Sequence, residues 1–219
     1  MASPGGWAVA AGGDHHDGAQ AKTAYRRELL ARRAARPAGD RAAAAAAITD
    51  ALLAGLAGAR TIAAYAPEPV EPGAPLLPAA LDRLDARVLL PVIPATGRQL
   101  QWAVATAQLV AGRYGLLEPV GPRFGPSELA TADVVVVPAL AVSRAGVRLG
   151  RGGGYYDRAL QHARPDALLV ALVFDDELVD HLPAEPHDQP VSAVVTPSTG
   201  WLRLPAPPAH ADPRDDQPR

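Results

Sequence analysis

The chain has 219 residues, a formal net charge of −2 at pH 7, 48% hydrophobic and 20% charged residues, and no cysteine. That length supports one α/β domain with a sizeable core, or two small ones, and its 20 Gly and 23 Pro stay below the share that marks a low-complexity chain. The near-neutral balance argues against a protein that coats nucleic acid or anionic lipid, and the missing cysteine excludes a disulfide framework, a thiolate nucleophile and a zinc–thiolate site.

Residues 1–20 are Gly/Ala-rich, lack the basic start and apolar run of a secretory signal, and read as a disordered tail. Residues 22–36 and 40–57, rich in Ala, Leu and Arg, predict two helices separated by Pro37 and Gly39. Next come a short strand at 61–65, a helix at 76–84, a strand at 86–93 and a further strand candidate at 100–105. "DVVVVPAL" (133–140), "ALLVALVF" (167–174) and "VSAVVT" (191–196) read as strands, with a helix from Tyr155 to His162 among them. Apolar runs such as Val134–Val137 and Leu168–Phe174 suit strands covered on both faces, as a parallel sheet between helices requires. Residues 205–219 are rich in Pro and charge and read as a second tail, which leaves 21–204 as one domain. No stretch approaches the apolar length of a membrane span, so a cytoplasmic protein is expected.

The strongest local signal is "RLGRGGGYYDRAL" (148–160), between the Val134–Val137 strand and a helical pattern. Glycines at 150, 152, 153 and 154 let backbone N–H groups approach an anion, a following helix adds its positive end, and Arg148, Arg151 and Arg158 add charge. No Gly-Lys-Ser/Thr follows, so this is not a Walker A loop, and the glycine spacing and position do not fit the dinucleotide fingerprint. Taken alone, the segment also fits a flexible connector.

The second signal is Lys22, the one lysine of the chain. With Arg26 and Arg33 it falls at i, i+4 and i+11, on one helix face, beside an apolar stripe of Tyr25 and Leu29. Such a stripe is compatible with a solvated face; it is also placed to close over phosphates held by the glycine loop.

Lys22-x-x-x-Arg26, "YAPEPVEPG" (65–73), "YGLLEP" (114–119) and, above all, "VVVVPALAVSRAGVRLGRGGGYYDRAL" (134–160) together resemble the 5-formyltetrahydrofolate cyclo-ligase family, across roughly residues 21–196. The resemblance implies an α/β fold of three layers, an α/β/α sandwich with a mainly parallel, Rossmann-like sheet. It implies an ATP-dependent ligase of one-carbon folate metabolism: ATP phosphorylates the formyl oxygen of 5-formyltetrahydrofolate, and N10 attacks the activated carbon to give 5,10-methenyltetrahydrofolate, ADP and phosphate. Carried over position by position, ATP falls to Lys22, Arg26 and the stretch Arg148, Leu149, Gly150, Arg151, Gly152, Gly153, Gly154, Tyr155 and Tyr156.

Lys22, Arg148 and Tyr155 are the expected catalytic groups, with Lys22 stabilising charge on the transferring phosphoryl. Ala66 and Glu71 match substrate-binding positions; a carboxylate can accept the paired N–H donors of a pterin, although Glu71 alone would read as a loop acid. Tyr155 and Tyr156 offer a pterin face or a hydroxyl near the formyl oxygen, with packing on the sheet as the alternative. Asp157 and Asp188 match the family's Mg2+-linked aspartates, although an isolated Asp188 reads as a turn residue. Trp102 could flank either ligand, but strand-core packing fits it better.

Two departures stand out: Val142-Ser143 replaces the family's usual Phe-Asp, and Ser192 stands where Asp is frequent. A relative that binds nucleotide or folate without turnover is therefore a second reading. A sugar-phosphate isomerase or CoA-transferase-like enzyme is a third, resting on fold analogy alone. The expected state is a monomer, without nucleic-acid or membrane partners.

Overall fold

The computed structural model describes residues 15–184 and 189–205, with side chains from Gln20 onward. Helix α1 spans His15–Ala35 and α2 spans Ala38–Gly55. Pro37 separates them, because a proline cannot continue the hydrogen-bond ladder and pushes the residue before it out of helical geometry. The helix begins at His15, inside the segment read from sequence as a tail; the rest of that segment and residues 206–219 lie outside the described residues.

Strand β1 (Thr61–Ala63), the short helix α3 (Leu77–Leu81), β2 (Arg87–Val92) and β3 (Gln101–Val104) follow, then the hairpin strands β4 (Leu109–Ala111) and β5 (Leu117–Pro119). The chain continues through β6 (Val134–Pro138), β7 (Ala141–Ser143), β8 (Arg148–Leu149) and α4 (Tyr155–Ala159). It ends with β9 (Leu168–Leu172), β10 (Leu178–Val179), β11 (Ala193–Thr196) and β12 (Gly200–Arg203).

Seven strands form the main sheet in the order β12-β11-β9-β6-β1-β2-β3. The five inner strands run parallel, and β12 and β3 close the edges antiparallel. Side chains alternate between two cores along every inner strand. Val134 and Val136 join Ile48 and Leu52 of α2 on one face, while Val135 and Val137 join Ala159 and Leu160 on the other. Each fully buried valine contributes roughly 1.5–3 kcal/mol relative to exposure, which explains why the runs seen in sequence are continuous rather than alternating. The mainly parallel sheet between two covering layers is the architecture expected from sequence. No helix among the described residues is long and apolar enough to cross a membrane.

Numbered by themselves, the parallel strands β1, β2, β6, β9 and β11 lie in the order 2-1-3-4-5. The connections reverse direction between β1 and β6, and in open α/β sheets ligands bind in the crevice outside the strand carboxyl ends at such a point. There, Pro138 ends β6 and the chain leaves for a separate three-stranded sheet, β10-β7-β8, which presents the glycine loop beside the crevice. Helix α1 packs on that small sheet through Leu29, which is fully buried against Leu140, Ala141 and Leu149.

Candidate active site

The crevice is a pocket with walls from four sources. Tyr65, Ala66, Glu68 and Glu71 come from the loop after β1; Pro138, Ala139 and Leu140 follow β6. Pro91, Ile93 and Leu100 belong to the β2–β3 region, joined by Leu116, Leu117 and Glu118 around β5. Arg148 and residues 150–157 close it from the glycine loop. The loop and the first helix meet as the sequence suggested, since the Nε–H of Arg26 donates to the Gly150 carbonyl oxygen at 2.9 Å. Gly152 (φ +90°) and Gly154 (φ +68°) hold conformations that strain any L side chain, and a Cβ on Gly152 would lie 3.4 Å from the Arg26 guanidinium carbon. The loop therefore needs glycine at 152 and 154 for its path, and the Arg26 guanidinium lies in ordinary contact distance over Gly152. Lys22 stands one turn before Arg26 on α1 and is half-buried.

The cation stripe on α1 divides in function. Arg33 shares the face of Arg26, but it is 1% exposed and forms an ion pair with Glu177, Nε to Oε1 at 2.7 Å and Nη2 to Oε2 at 2.8 Å. It also donates to the carbonyl of Ala139 at 2.6 Å, just beyond β6. Glu177 completes the joint by accepting the Phe174 N–H at 2.9 Å. Spacing alone could not separate Arg33 from its neighbours, because its partner lies 144 residues away.

Arg148 is 9% exposed and pairs with Asp157, with Nη1 also 3.4 Å from the Pro138 carbonyl, while its buried Nε–H has no partner. Arg151 spans the pocket mouth: it donates twice to Glu68 at 2.8 Å and lies 3.1 Å from Glu71. Glu71 additionally accepts the backbone N–H of Glu68 at 2.9 Å. Burial pushes the Glu71 carboxyl above the usual glutamate range, against the downward pull of the Glu68 amide and Arg151.

The two tyrosines differ. Tyr155 is half-buried, and the neighbouring Tyr114 hydroxyl pushes its pKa up. The Tyr156 hydroxyl is buried without a partner, and burial, reinforced by nearby Glu71, pushes its pKa far up, so it remains a neutral donor. The helix carrying them has only five residues, so it offers little of the helix dipole expected from sequence.

Among the described residues no group of three or more His, Asp or Glu side chains is arranged to hold a metal ion. Asp157 gives one carboxylate oxygen to Arg148 and keeps the other, and Asp188 lies outside the described residues. One carboxylate fits a divalent cation that arrives on phosphate oxygens, the usual manner of Mg2+, and does not fit a cation held by protein alone.

Trp102 is fully buried in the core. Neither serine at the departing positions lines the pocket: Ser143 Oγ accepts the Val147 N–H at 3.1 Å, and Ser192 Oγ exchanges hydrogen bonds with the backbone of Leu169. Glu118, 5% exposed, is a pocket residue that sequence reasoning missed, although it sits inside the quoted "YGLLEP" motif.

A model of the 5-formyltetrahydrofolate cyclo-ligase family matches residues 18–197. The 5-formyltetrahydrofolate cyclo-ligase of Mycolicibacterium smegmatis is 49% identical over 150 residues, which are 66% of this chain and 77% of that protein. The Escherichia coli enzyme of the same name is 38% identical over 127 residues, 55% of this chain and 69% of that protein. Among solved structures, the 5,10-methenyltetrahydrofolate synthetase of Aquifex aeolicus superposes with a TM-score of 0.66 at 26% identity, covering 90% of this chain and 99% of that one. That of Mycoplasma pneumoniae, at 21% identity and a TM-score of 0.63, covers 79% and 96% and shares the fold.

Proposed function

The chain belongs to the 5-formyltetrahydrofolate cyclo-ligase family, and from that premise we propose that its pocket closes 5-formyltetrahydrofolate into 5,10-methenyltetrahydrofolate with ATP as phosphoryl donor. It is a ligase of folate metabolism. The observation that carries the reading is the junction of Arg26 with Gly150, which brings a cationic helix and an amide-rich loop to one crevice at the switch point of the sheet.

The γ-phosphoryl passes to the formyl oxygen, N10 bonds to the formyl carbon, and the carbon–oxygen bond breaks with departure of phosphate; the N10 proton goes to solvent. Each step moves charge on phosphate oxygens, so the protein's task is to hold the reactants in line and balance that charge. Arg26 and the amides of 150–154 cradle the phosphates. Lys22 serves the transferring group as a point charge, a shape arginine cannot copy. Arg148, with its orphaned Nε–H, and the backbone of Leu149 form the floor.

Tyr155 contributes a ring at the mouth. Tyr156 keeps an unspent hydroxyl donor where a formyl or phosphoryl oxygen can take it. Ala66 and Glu71 form the substrate wall. Asp157, with Asp188, would hold Mg2+, which when bound to the nucleotide neutralises phosphate charge. The reading carries with it a cytoplasmic monomer without nucleic-acid or membrane partners. Purified protein given ATP, Mg2+ and 5-formyltetrahydrofolate should develop methenyl-folate absorbance; a preparation that binds both ligands without product would support the non-catalytic relative instead.

A further inference from the structure

Arg33 does not line the pocket, yet it sits where the two halves of the pocket join. Among the described residues the chain passes twice from the main sheet into the small one: from β6 through Ala139 and Leu140 to β7, and from β9 through residues 173–177 to β10. The two passages lie side by side, because β6 pairs with β9 and β7 with β10. The Arg33 guanidinium clamps both. Its Nη2 donates to the Ala139 carbonyl at 2.6 Å in the first passage, and Nε and Nη2 hold the Glu177 carboxylate in the second. Glu177 in turn accepts the Phe174 N–H at 2.9 Å, and the Phe174 ring centroid lies 5.8 Å from the guanidinium carbon. On the main-sheet side stands the wall formed by Pro138, Ala139 and the loop after β1; the small sheet carries the glycine loop, which follows β8. The same helix bears Arg26, bonded to that loop at Gly150, so α1 is braced between both walls. How the walls face each other therefore depends on this clamp, and at 1% exposure water does not compete for it.

We propose that Arg33 is a positioning residue for the reaction: by clamping both passages it sets the nucleotide-facing glycine loop in line with the substrate-facing strand ends. The inference rests on the cyclo-ligase reading above. Phosphoryl transfer from ATP to a formyl oxygen joins atoms held by opposite walls, and an error of about 1 Å between them costs about 100-fold in rate. Binding of each ligand alone is less sensitive, since each wall keeps its own contacts. Loss of the clamp is therefore read in kcat rather than in the affinity for either ligand. The guanidinium suits the task because its planar fork meets a carboxylate and a carbonyl at once in fixed geometry.

The test compares wild-type protein with Glu177→Gln and with the double variant Arg33→Met, Glu177→Gln. For each, the thermal midpoint, kcat, and equilibrium binding of 5-formyltetrahydrofolate and of a non-hydrolysable ATP analogue with Mg2+ are measured. Glu177→Gln strands a charge but leaves Arg33 in place to hold Ala139, whereas the double variant removes both charges and with them the clamp. The double variant should thus be the more stable of the two and the less active. Its kcat should fall about 10- to 100-fold below wild type, with both ligands binding within about threefold of wild type. A purely structural pair would give the opposite order, with turnover following the thermal midpoint. Should either variant fail to fold by circular dichroism, Arg33→Lys, whose ammonium ends one bond short of Nη2, should show the same fall in kcat with ligand binding retained. Wild-type kcat in the folded double variant or in Arg33→Lys, activity that ranks with stability, or a loss confined to ligand binding overturns the role. Absence of methenyl product from wild-type protein would instead overturn the cyclo-ligase reading, and this role with it.

Discussion

The Nε–H of Arg26 on the first helix donates to the carbonyl oxygen of Gly150, 124 residues away, and so fixes the glycine loop against a helix whose own position is set elsewhere. Removing that tie should loosen the loop and delete the cation proposed to meet phosphate, without unfolding the helix, which Arg33 and Leu29 still anchor. Arg26→Ala is expected to raise the KM for ATP about tenfold or more, with the KM for 5-formyltetrahydrofolate nearly unchanged. Steady-state kinetics with each substrate varied in turn separates the two, and an equal rise in both would contradict the placement.

Lys22→Arg preserves charge but replaces a compact ammonium by a planar fork. If the lone lysine meets the transferring phosphoryl, kcat should fall at least about tenfold while the thermal midpoint stays within a few degrees. Wild-type turnover in this variant would return Lys22 to the status of an ordinary helix residue.

The Arg33–Glu177 pair has both side chains 1% exposed, so breaking it leaves a charge stranded in the core. Glu177→Gln or Arg33→Met alone should destabilise by about 3–5 kcal/mol, and the double replacement should recover much of that loss. Denaturant unfolding of the four proteins measures this directly; additive losses would mean that the two side chains are independent.

Glu71 gives a pH signature. Its folded pKa lies above the unfolded value near 4.5, so ionised Glu71 is a cost to the fold that is present above its raised folded value and fades as pH falls toward 4.5. In the proposed substrate contact the effect runs the other way: protonation of Glu71 removes acceptor capacity for a pterin. As pH is lowered, the KM for 5-formyltetrahydrofolate should begin to climb at a higher pH than an ordinary glutamate would allow. Glu71→Gln should flatten that climb. Initial rates corrected for the enzyme-free reaction provide the profile, and a wild-type KM that is level down to pH 4.5 would contradict the role.

Much of this was legible in sequence because it is local. The valine run at 134–137 and the apolar run from 168 state their own burial, and the glycine loop with its flanking arginines stands out by composition alone. What could not be read is what depends on distant partners. Arg33 and Arg26 look alike on a helical wheel, and only the fold gives one to Glu177 and the other to Gly150. Tyr155 and Tyr156 are neighbours in sequence, but the roughly 100° between them on the helix turns one toward Tyr114 and buries the other's hydroxyl unpaired. Glu118 was passed over because a glutamate before proline in a short hairpin strand reads as a surface residue until Ile93 and Gly112 close around it. The short strands β4, β7, β8 and β10 carry two or three residues each, too few to show a period.

The most direct test is to follow methenyl-folate absorbance and ADP together in one reaction of purified protein with ATP, Mg2+ and 5-formyltetrahydrofolate. The account predicts one ADP for each methenyl group formed, and neither product when either substrate is omitted. ADP release that does not depend on 5-formyltetrahydrofolate, or the absence of methenyl product when both substrates are bound, would contradict it.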